Sequence, residues 1–438
     1  DLANSVIVNN KVRNHKNLWT DKEVDNSTLL LSLSSGYQEA MMVAEVAKIA
    51  SLNNEYCAVL YRAHYQSRII EEMCVAQSIP YKIIGGVNFY ERAEIKDILS
   101  YIQLSLNRSD KASFLRCCNV PTRGLGDVFK DSFFEFWRNQ NEDLSILAII
   151  DVFIDEKKPS NKVKNSLLDL KEILLNLSNK SENPKDAIKW LIEKINYDAH
   201  LKKISELESE YLDRKDNINE LINAAGNFLE VHSGSSLKDF IDYISLMYTS
   251  KEDSSDIPAL SLMTLHSAKG LEFSTVMLIG VEEGIFPSFR STADLSLLEE
   301  ERRLLYVGIT RACNRLICSF AQQRMIWGSL KHQSQSRFIK DFGNCIKYYD
   351  ISRSPNHLLS RAIEDIVFNT NDVKSYEIDS YIKRETADSL KTCKYISNQK
   401  VYHDKFGPGR IIKTFNNNVC EVLFRSGIKK IKSDFLKE

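Results

Sequence analysis

The residues with the greatest potential for chemistry lie between Ser261 and Phe273. An apolar stretch there is followed by a polar, glycine-containing loop that carries His266, Lys269 and Glu272. Imidazole and ammonium groups can hold phosphate oxygens, and a carboxylate can accept hydrogen bonds from hydroxyl groups. Loops that leave the carboxyl ends of parallel strands are where α/β proteins place ligands. The segment therefore predicts a binding loop, with a generic strand and loop as the alternative.

A second chemical segment, residues 299–312, follows a short way downstream. It opens with acidic residues, continues as a basic and apolar helical pattern, and ends at Thr310 and Arg311. An arginine facing a neighbouring phosphate site is the arrangement that an arginine finger needs, because its guanidinium offsets charge that develops during phosphoryl transfer. We interpret Glu299 to Glu301 as charges at a helix start rather than as catalytic acids.

The elements that must position these segments alternate between strands and helices. Apolar runs predict strands, and apolar residues at helical spacing predict helices. The strands are expected at residues 29–34, 57–62, 81–84, 259–265, 275–280 and 316–321, and the helices at residues 37–50 and 66–77. This alternation indicates an α/β fold with a parallel sheet covered by helices. Residues 127–247 are helical in pattern and rich in charge, which predicts an all-helical insertion.

Length and composition narrow the class of protein. A chain of 438 residues is long enough for two or three domains with ample core. The net charge of −1 means that any nucleic-acid contact must come from local patches of Lys and Arg. Nine cysteines without a C-x-x-C pair suggest reduced thiols rather than a metal site or disulfide framework. With no apolar run of membrane length and no signal peptide, we expect a cytoplasmic protein.

The two chemical segments closely resemble motifs V and VI of the superfamily 1A DNA helicases, the UvrD, PcrA and Rep group. Four further segments are similar to sequences of that group. They are Leu60-Tyr-Arg-Ala-His-Tyr-Gln-Ser-Arg68, Gly85-Gly-Val-Asn-Phe-Tyr-Glu-Arg-Ala-Glu-Ile-Lys-Asp97, Asn119-Val-Pro-Thr-Arg-Gly-Leu-Gly-Asp127 and Gly280-Val-Glu-Glu-Gly-Ile-Phe-Pro-Ser-Phe-Arg290. The resemblance covers roughly residues 1–347 and 397–438.

The resemblance implies a RecA-like parallel sheet domain, called 2A, interrupted by an all-helical 2B insertion and followed by a small Tudor-like β-barrel. We expect 2A at residues 1–108 and 254–348, with 2B at residues 109–253 between them. Residues 349–396 are polar without clear periodicity and are predicted to be a linker, and residues 397–438 are predicted to form the barrel.

Two features indicate that this is the C-terminal portion of a longer helicase without its first RecA-like domain. No G-x-x-x-x-G-K-[ST] loop is present to cradle ATP phosphates, and no acidic pair follows an apolar strand to hold magnesium. The chain begins without methionine at Asp1, in a stretch that resembles the helix just beyond motif IV of the family. We therefore expect the chain alone to lack ATPase activity.

The resemblance assigns a role to several residues of motifs V and VI. Arg311 corresponds to the catalytic arginine that reaches the γ-phosphate of ATP, and Glu272 to the acid at the ATP ribose. Gly270 completes the expected ATP-binding set. Thr264, His266 and Lys269 are expected to contact the DNA backbone, although a structural role for His266 is the alternative. No metal ligands are expected in this chain.

Other residues are expected to contact DNA. The rings of Phe89 and Tyr90 could stack on single-stranded bases, or one or both could pack into the core. Gly124 and Gly126 would expose backbone N–H groups at a helix N-terminus that suits a duplex phosphate, with Arg123 adding charge. An ordinary glycine turn is the alternative.

The leading interpretation is the C-terminal part of an ATP-dependent 3′–5′ DNA helicase that acts in repair or replication. The cofactors implied are ATP and Mg²⁺, with Mg²⁺ held by the missing N-terminal domain. The partners implied are single-stranded and duplex DNA, RNA polymerase through the C-terminal domain, and repair proteins, with no membrane. The alternative is a non-hydrolysing module that binds DNA and a transcription partner.

Overall fold

The computed structural model describes residues 1–11, 19, 28–140, 144–249, 260–326, 328–368, 399–403, 406–415, 419–424 and 427–432. The chain divides into two compact units, Asp1–Phe368 and Asn369–Glu438. The strands of the first unit are β1 Thr28–Ser35, β2 Cys57–Tyr61, β3 Tyr81–Ile84, β4 Leu260–Thr264, β5 Phe273–Leu278, β6 Ala312–Ile326, β7 Ser329–His332 and β8 Lys347–Asp350. Most of the predicted strands are confirmed to within a few residues.

The strands of the first unit form one mainly parallel sheet. Its order is β3-β4-β2-β5-β6-β1-β8, and β7 pairs antiparallel with the far end of β6. Strands β2 and β4 are buried along their whole length, which explains why they read as continuous apolar runs rather than as alternating ones. The α/β prediction with a parallel sheet is confirmed.

Fourteen helices are described in the first unit. They are α1 Leu2–Ile7, α2 Gly36–Leu52, α3 Ser67–Ala76, α4 Ala93–Leu106, α5 Lys111–Cys117, α6 Asp127–Arg138, α7 Ile146–Lys157, α8 Asn161–Asn179, α9 Pro184–Lys194, α10 Tyr197–Ile204, α11 Glu208–Val231, α12 Leu237–Thr249, α13 Leu295–Ile309 and α14 Asn356–Ile363. Helices α4 to α12 lie between β3 and β4, which are neighbours in the sheet. The chain therefore leaves the sheet after β3 and returns beside it.

The helical segment has a hydrophobic core of its own. This core begins at Phe89 and includes residues of α4 such as Ile98 and Leu104. A separate core between the sheet and its covering helices contains Leu60, Leu278 and Leu305. Helix α4, placed in the sheet domain by the predicted border at residue 108, thus packs with the helical segment.

The predicted linker at residues 349–396 is wrong in its first part. Strand β8 extends to Asp350 and pairs in parallel with β1 at the edge of the sheet. Helix α14 follows, and Leu359 and Ile363 on it are fully buried. Few apolar side chains suffice to dock so short a helix, which is why the sequence shows no strong periodicity there. Residues 369–398 lie outside the described residues.

The second unit contains an antiparallel sheet of four strands, β9 Lys400–His403, β10 Gly407–Phe415, β11 Val419–Phe424 and β12 Gly427–Lys432. Consecutive strands pair with each other. A small core joins Val401, Ile411, Val422 and Phe424, with Phe406 packed against it. The predicted short strands are present, and their closure into a barrel stays a prediction. Among the described helices of the whole chain, none is both long and apolar enough to span a membrane.

Candidate nucleotide and nucleic-acid site

The loop at residues 265–272 crosses the sheet from one edge to the other. It leaves the carboxyl end of β4 after Thr264 and enters the amino end of β5 at Phe273. Both strands are parallel to β2, which lies between them. His266 therefore lies at the carboxyl edge of the sheet and Glu272 at the amino edge. The expectation that the whole loop belongs to the carboxyl edge is wrong for its second half.

Helix α13 connects the same two edges. It begins after the loop that follows β5, and it ends just before β6. At Gly308 the helix lies so close to the loop that a Cβ there would be 2.6 Å from Leu265 Cδ2. Any larger residue at position 308 would therefore force the Leu265 side chain or the helix to shift. The loop and α13 thus form a packed pair that spans the sheet.

The guanidinium of Arg311 is held at the amino edge by three hydrogen bonds. Nη1 donates to the Leu271 carbonyl at 3.0 Å, Nε to the Val307 carbonyl at 3.1 Å, and Nη2 to Thr310 Oγ1 at 3.0 Å. Carbonyls at a helix C-terminus favour a cation, so the position stabilises the charged side chain. The segments around motifs V and VI meet here, because the Phe273 N–H also donates to the Arg311 carbonyl at 3.0 Å.

Gly270 and Glu272 lie beside Arg311 and are both exposed. Gly270 has a positive φ of 84° in the turn that precedes β5. The neighbour of Glu272 in space is the exposed Cys313, whose Sγ lies 3.9 Å from Glu272 Oε2. The amino edge therefore presents a fixed guanidinium and an accessible carboxylate. The first can bind a phosphate group and the second can accept hydrogen bonds from hydroxyl groups of the same ligand.

At the carboxyl edge, Thr264 organises the start of the loop. Its buried hydroxyl lies 3.0 Å from Ser267 Oγ and accepts from the Ser267 N–H at 3.3 Å. The loop also touches the turn after β3, since a Cβ at Gly85 would lie 2.6 Å from Ser267 Oγ. Gly85 has a φ of +75°, so this contact requires glycine both sterically and conformationally.

His266 and Lys269 are exposed on this loop. Partial desolvation lowers the pKa of His266 from its ordinary value, and the Arg62 cation acts in the same direction, while Glu301 opposes them. A lowered pKa leaves the ring largely neutral at pH 7, so its contribution at that pH is a hydrogen bond more than a charge.

The sequence did not reveal the ion pair between Arg62 and Glu301. Arg62 Nη2 lies 2.7 Å from Glu301 Oε1, and Nε donates to both carboxylate oxygens. The interpretation of the three glutamates as charges at a helix start is wrong, because α13 begins at Leu295, capped by the Asp294 carboxylate. Glu301 is therefore inside the helix and buried. The only sequence signal for this ion pair was the position of Arg62 within the Leu60–Arg68 segment.

The structure does not present Phe89 or Tyr90 as stacking surfaces. Phe89 is fully buried and Tyr90 is 5% exposed, with its hydroxyl donating to Glu72 Oε1 at 2.6 Å. Both rings belong to the core of the helical segment. The alternative that both pack into the core is correct, and we withdraw the pair as DNA-stacking residues.

Arg123 likewise points inward rather than toward solvent. Its guanidinium donates to the Tyr101 hydroxyl and lies over the Tyr101 ring at 5.4 Å from Cζ to the centroid. An adjacent hydrogen bond joins the Arg123 N–H to Asn119 Oδ1 at 2.8 Å. Arg123 is therefore a structural residue, and its role in duplex binding is withdrawn. Gly124 and Gly126 are exposed before α6, where Gly126 is the N-cap.

Comparison with known proteins identifies the family of the chain. The family model described as the UvrD-like helicase C-terminal domain matches residues 1–323. The chain belongs to the UvrD-like helicase C-terminal family. It is 34% identical to DNA helicase II of Haemophilus influenzae over 443 aligned residues, which cover 98% of this chain and 58% of that protein. It is 35% identical to the ATP-dependent DNA helicase PcrA of Bacillus subtilis, with 77% of this chain and 47% of that protein covered.

The chain spans about half the length of the curated relatives that it matches. Within the described ranges, no group of three or more His, Cys, Asp or Glu side chains is arranged to hold a metal ion.

Proposed function

We propose that this chain is the C-terminal part of an ATP-dependent 3′–5′ DNA helicase that acts in DNA repair or replication. One observation carries the proposal: the loop at residues 265–272 and helix α13 join the DNA-facing candidate His266 at one edge of the sheet to Arg311 at the other. A motor needs such a connection, because nucleotide chemistry at one site must change contacts at another.

On the nucleotide side, the chain would supply the second wall of the ATP cleft. Arg311 would stabilise charge that develops on the γ-phosphate, Glu272 would accept hydrogen bonds from the ribose, and Gly270 would leave room for the nucleotide. Mg²⁺ and the phosphate-cradling loop would come from a domain beyond this sequence. By itself, the 438-residue chain is expected to hydrolyse no ATP, and DNA-stimulated hydrolysis by it would contradict this division of labour.

On the nucleic-acid side, His266 and Lys269 would contact the backbone of single-stranded DNA, and Thr264 would support them from inside the loop. Thr264 is buried and acts by shaping the loop, while the other two side chains are exposed. The exposed turn at Gly124 and Gly126 remains a candidate contact for duplex DNA, although Asp127 at the start of α6 places a negative charge there. Repair proteins are further proposed partners.

The test is Arg311→Ala in a longer helicase that contains this chain. We expect ATP turnover to fall by about 10²–10³ because one arginine finger is lost, and DNA affinity to be retained. Arg303→Ala is the matched control, since Arg303 lies on the same helix and forms ion pairs with the neighbouring Glu299 and Glu300. Hydrolysis at the wild-type rate in Arg311→Ala would reject the assignment.

A role in binding a transcription partner is proposed for the second unit, residues 369–438. Its strands have their own core, so the unit can act independently of the sheet domain. Within residues 397–438, nine Lys and Arg stand against four Asp and Glu, a net charge of 9 − 4 = +5. We favour RNA polymerase as the partner over non-specific DNA binding.

A further inference from the structure

Phe289 is the one exposed phenylalanine among those whose side chains the structure describes. Its side chain lies on the loop between β5 and α13, and the residue is 79% exposed. A single exposed apolar ring is ordinary on a protein surface and by itself indicates nothing. The position of Phe289 and the rigidity of its turn are what make it informative.

The backbone around Phe289 is braced by hydrogen bonds. The Phe289 N–H donates to the Gly284 carbonyl at 3.1 Å, and Thr292 Oγ1 donates to the Phe289 carbonyl at 2.7 Å. The hydroxyls of Ser288 and Ser291 lie 2.9 Å apart across the same turn. The turn is therefore ordered before any ligand arrives, and a ligand that uses the ring would not have to order it.

The residue after Phe289 ties the turn to the helical segment. Arg290 Nη2 lies 2.8 Å from Asp216 Oδ2, and Arg290 Nη1 lies 3.9 Å from Asp213 Oδ1, both on α11. These pairs offset the negative charge of the two aspartates beside the ring. Asp213 also acts on the titration of His266, so the two residues lie in the same electrostatic environment.

The next residue, Ser291, ties the turn to the sheet domain. Its buried hydroxyl donates to Glu301 Oε1 at 3.0 Å, and Glu301 is the partner of Arg62. Arg62 and Glu301 are both close enough to His266 to influence its titration. The two residues that follow Phe289 thus contact groups that lie near His266. Phe289 itself lies at the carboxyl edge of the sheet.

We propose that Phe289 is a base-stacking residue for single-stranded DNA, placed beside the phosphate contacts of His266 and Lys269. The inference rests on the proposed function, because it needs the strand to follow this edge. A phenyl face stacks on any base, which suits a protein that must accept every sequence, and each stacked base contributes about 1–3 kcal/mol. Phe289 offers the exposed ring that Phe89 and Tyr90 do not.

The test compares two fluorescent oligonucleotides of equal length, an oligothymidylate and an abasic strand with the same phosphates, bound to the 438-residue chain at fixed salt. We expect Phe289→Ala to weaken binding of oligothymidylate roughly 5- to 150-fold, the range that corresponds to one stacked base. Binding of the abasic strand should not change, and Phe289→Trp should retain the wild-type affinity. Tyr348→Ala is the control, because Tyr348 is 54% exposed but lies on β8 at the far edge of the sheet.

Further variants separate failure of this inference from failure of the proposed function. If Lys269→Ala weakens binding of both strands while Phe289→Ala leaves oligothymidylate binding intact, the stacking role is wrong and the DNA track stands. If the wild-type chain binds neither strand, or if Lys269→Ala has no effect, both are overturned. As a direct readout, an oligonucleotide with 5-iodouracil should photo-crosslink to the peptide that contains Phe289. Crosslinking confined to other peptides would also overturn the stacking role.

Discussion

Arg62 and Glu301 form a bidentate ion pair that fastens the end of β2 to helix α13. The two residues are 239 positions apart in the chain. The Glu301 side chain is 3% exposed and that of Arg62 is 25% exposed, so the carboxylate is buried and the guanidinium is partly open to solvent. Glu301 lies in the middle of α13, and Arg311 follows the end of that helix, so the pair fixes the helix that leads to the candidate nucleotide edge.

We predict that Glu301→Gln lowers the free energy of unfolding by about 2 kcal/mol. The substitution keeps the side-chain volume but leaves the Arg62 cation without its counter-charge. Partial exposure of Arg62 reduces the effect below the ~3–5 kcal/mol of a fully buried pair. Chemical denaturation of the chain measures it. Glu300→Gln is the control, since that side chain is 59% exposed, and a change of less than ~0.5 kcal/mol is expected. Equal losses in the two variants would refute the assigned role.

The same substitution should move the pKa of His266. Glu301 raises the pKa of that ring, while desolvation and Arg62 lower it. Removing the Glu301 charge therefore shifts the His266 pKa further down. A titration of the His266 ring signal by NMR, in wild type and in Glu301→Gln, measures the shift. An upward movement would show that the two groups do not interact as the geometry indicates.

Binding of single-stranded DNA should strengthen as the pH falls below 6.5. The pKa of His266 is lowered from 6.5 in the free protein, and a bound phosphate raises it again, so binding takes up a proton. The charged and titratable groups that act on His266 include Arg62, Glu301, Glu300, Asp213 and His64. His266→Gln should flatten the pH dependence of the dissociation constant. An unchanged pH profile in that variant would exclude the histidine from the interface.

The strands and the chemistry-bearing loop could be predicted from the sequence because both are local. Buried parallel strands such as β2 produce uninterrupted apolar runs, and motif V is continuous in the chain. The Arg62–Glu301 pair could not be predicted, because it joins residues brought together only by the sheet order. The orientation of Arg123 was also hidden, since a charged residue beside two glycines looks the same whether it faces solvent or a buried tyrosine.

Arg123→Ala should destabilise the helical segment without a selective loss of duplex binding. The Arg123 guanidinium donates to the Tyr101 hydroxyl and lies over the Tyr101 ring, so its removal loses a charge-assisted hydrogen bond and a cation–π contact at a cost of about 1–3 kcal/mol. Thermal unfolding measures the loss, and Arg138→Ala on the exposed end of α6 is the control. A salt-matched titration should show the same ratio of duplex to single-strand affinity as wild type. A lower ratio would restore Arg123 as a duplex contact.

The last prediction concerns the second unit, whose positive charge admits two functions. If residues 397–438 recruit RNA polymerase, their deletion from a longer helicase that contains this chain should abolish co-purification of the polymerase and leave unwinding of a 3′-tailed duplex near normal. If the net charge of +5 instead serves non-specific DNA binding, deletion should weaken unwinding, and the loss should grow as the salt concentration falls, because phosphate contacts release counterions. Lys429→Glu is a milder variant than the deletion, because it reverses a single exposed charge. The Lys429 ammonium lies 6.0 Å from the Phe406 ring centroid. Loss of unwinding with polymerase binding retained would reverse the choice.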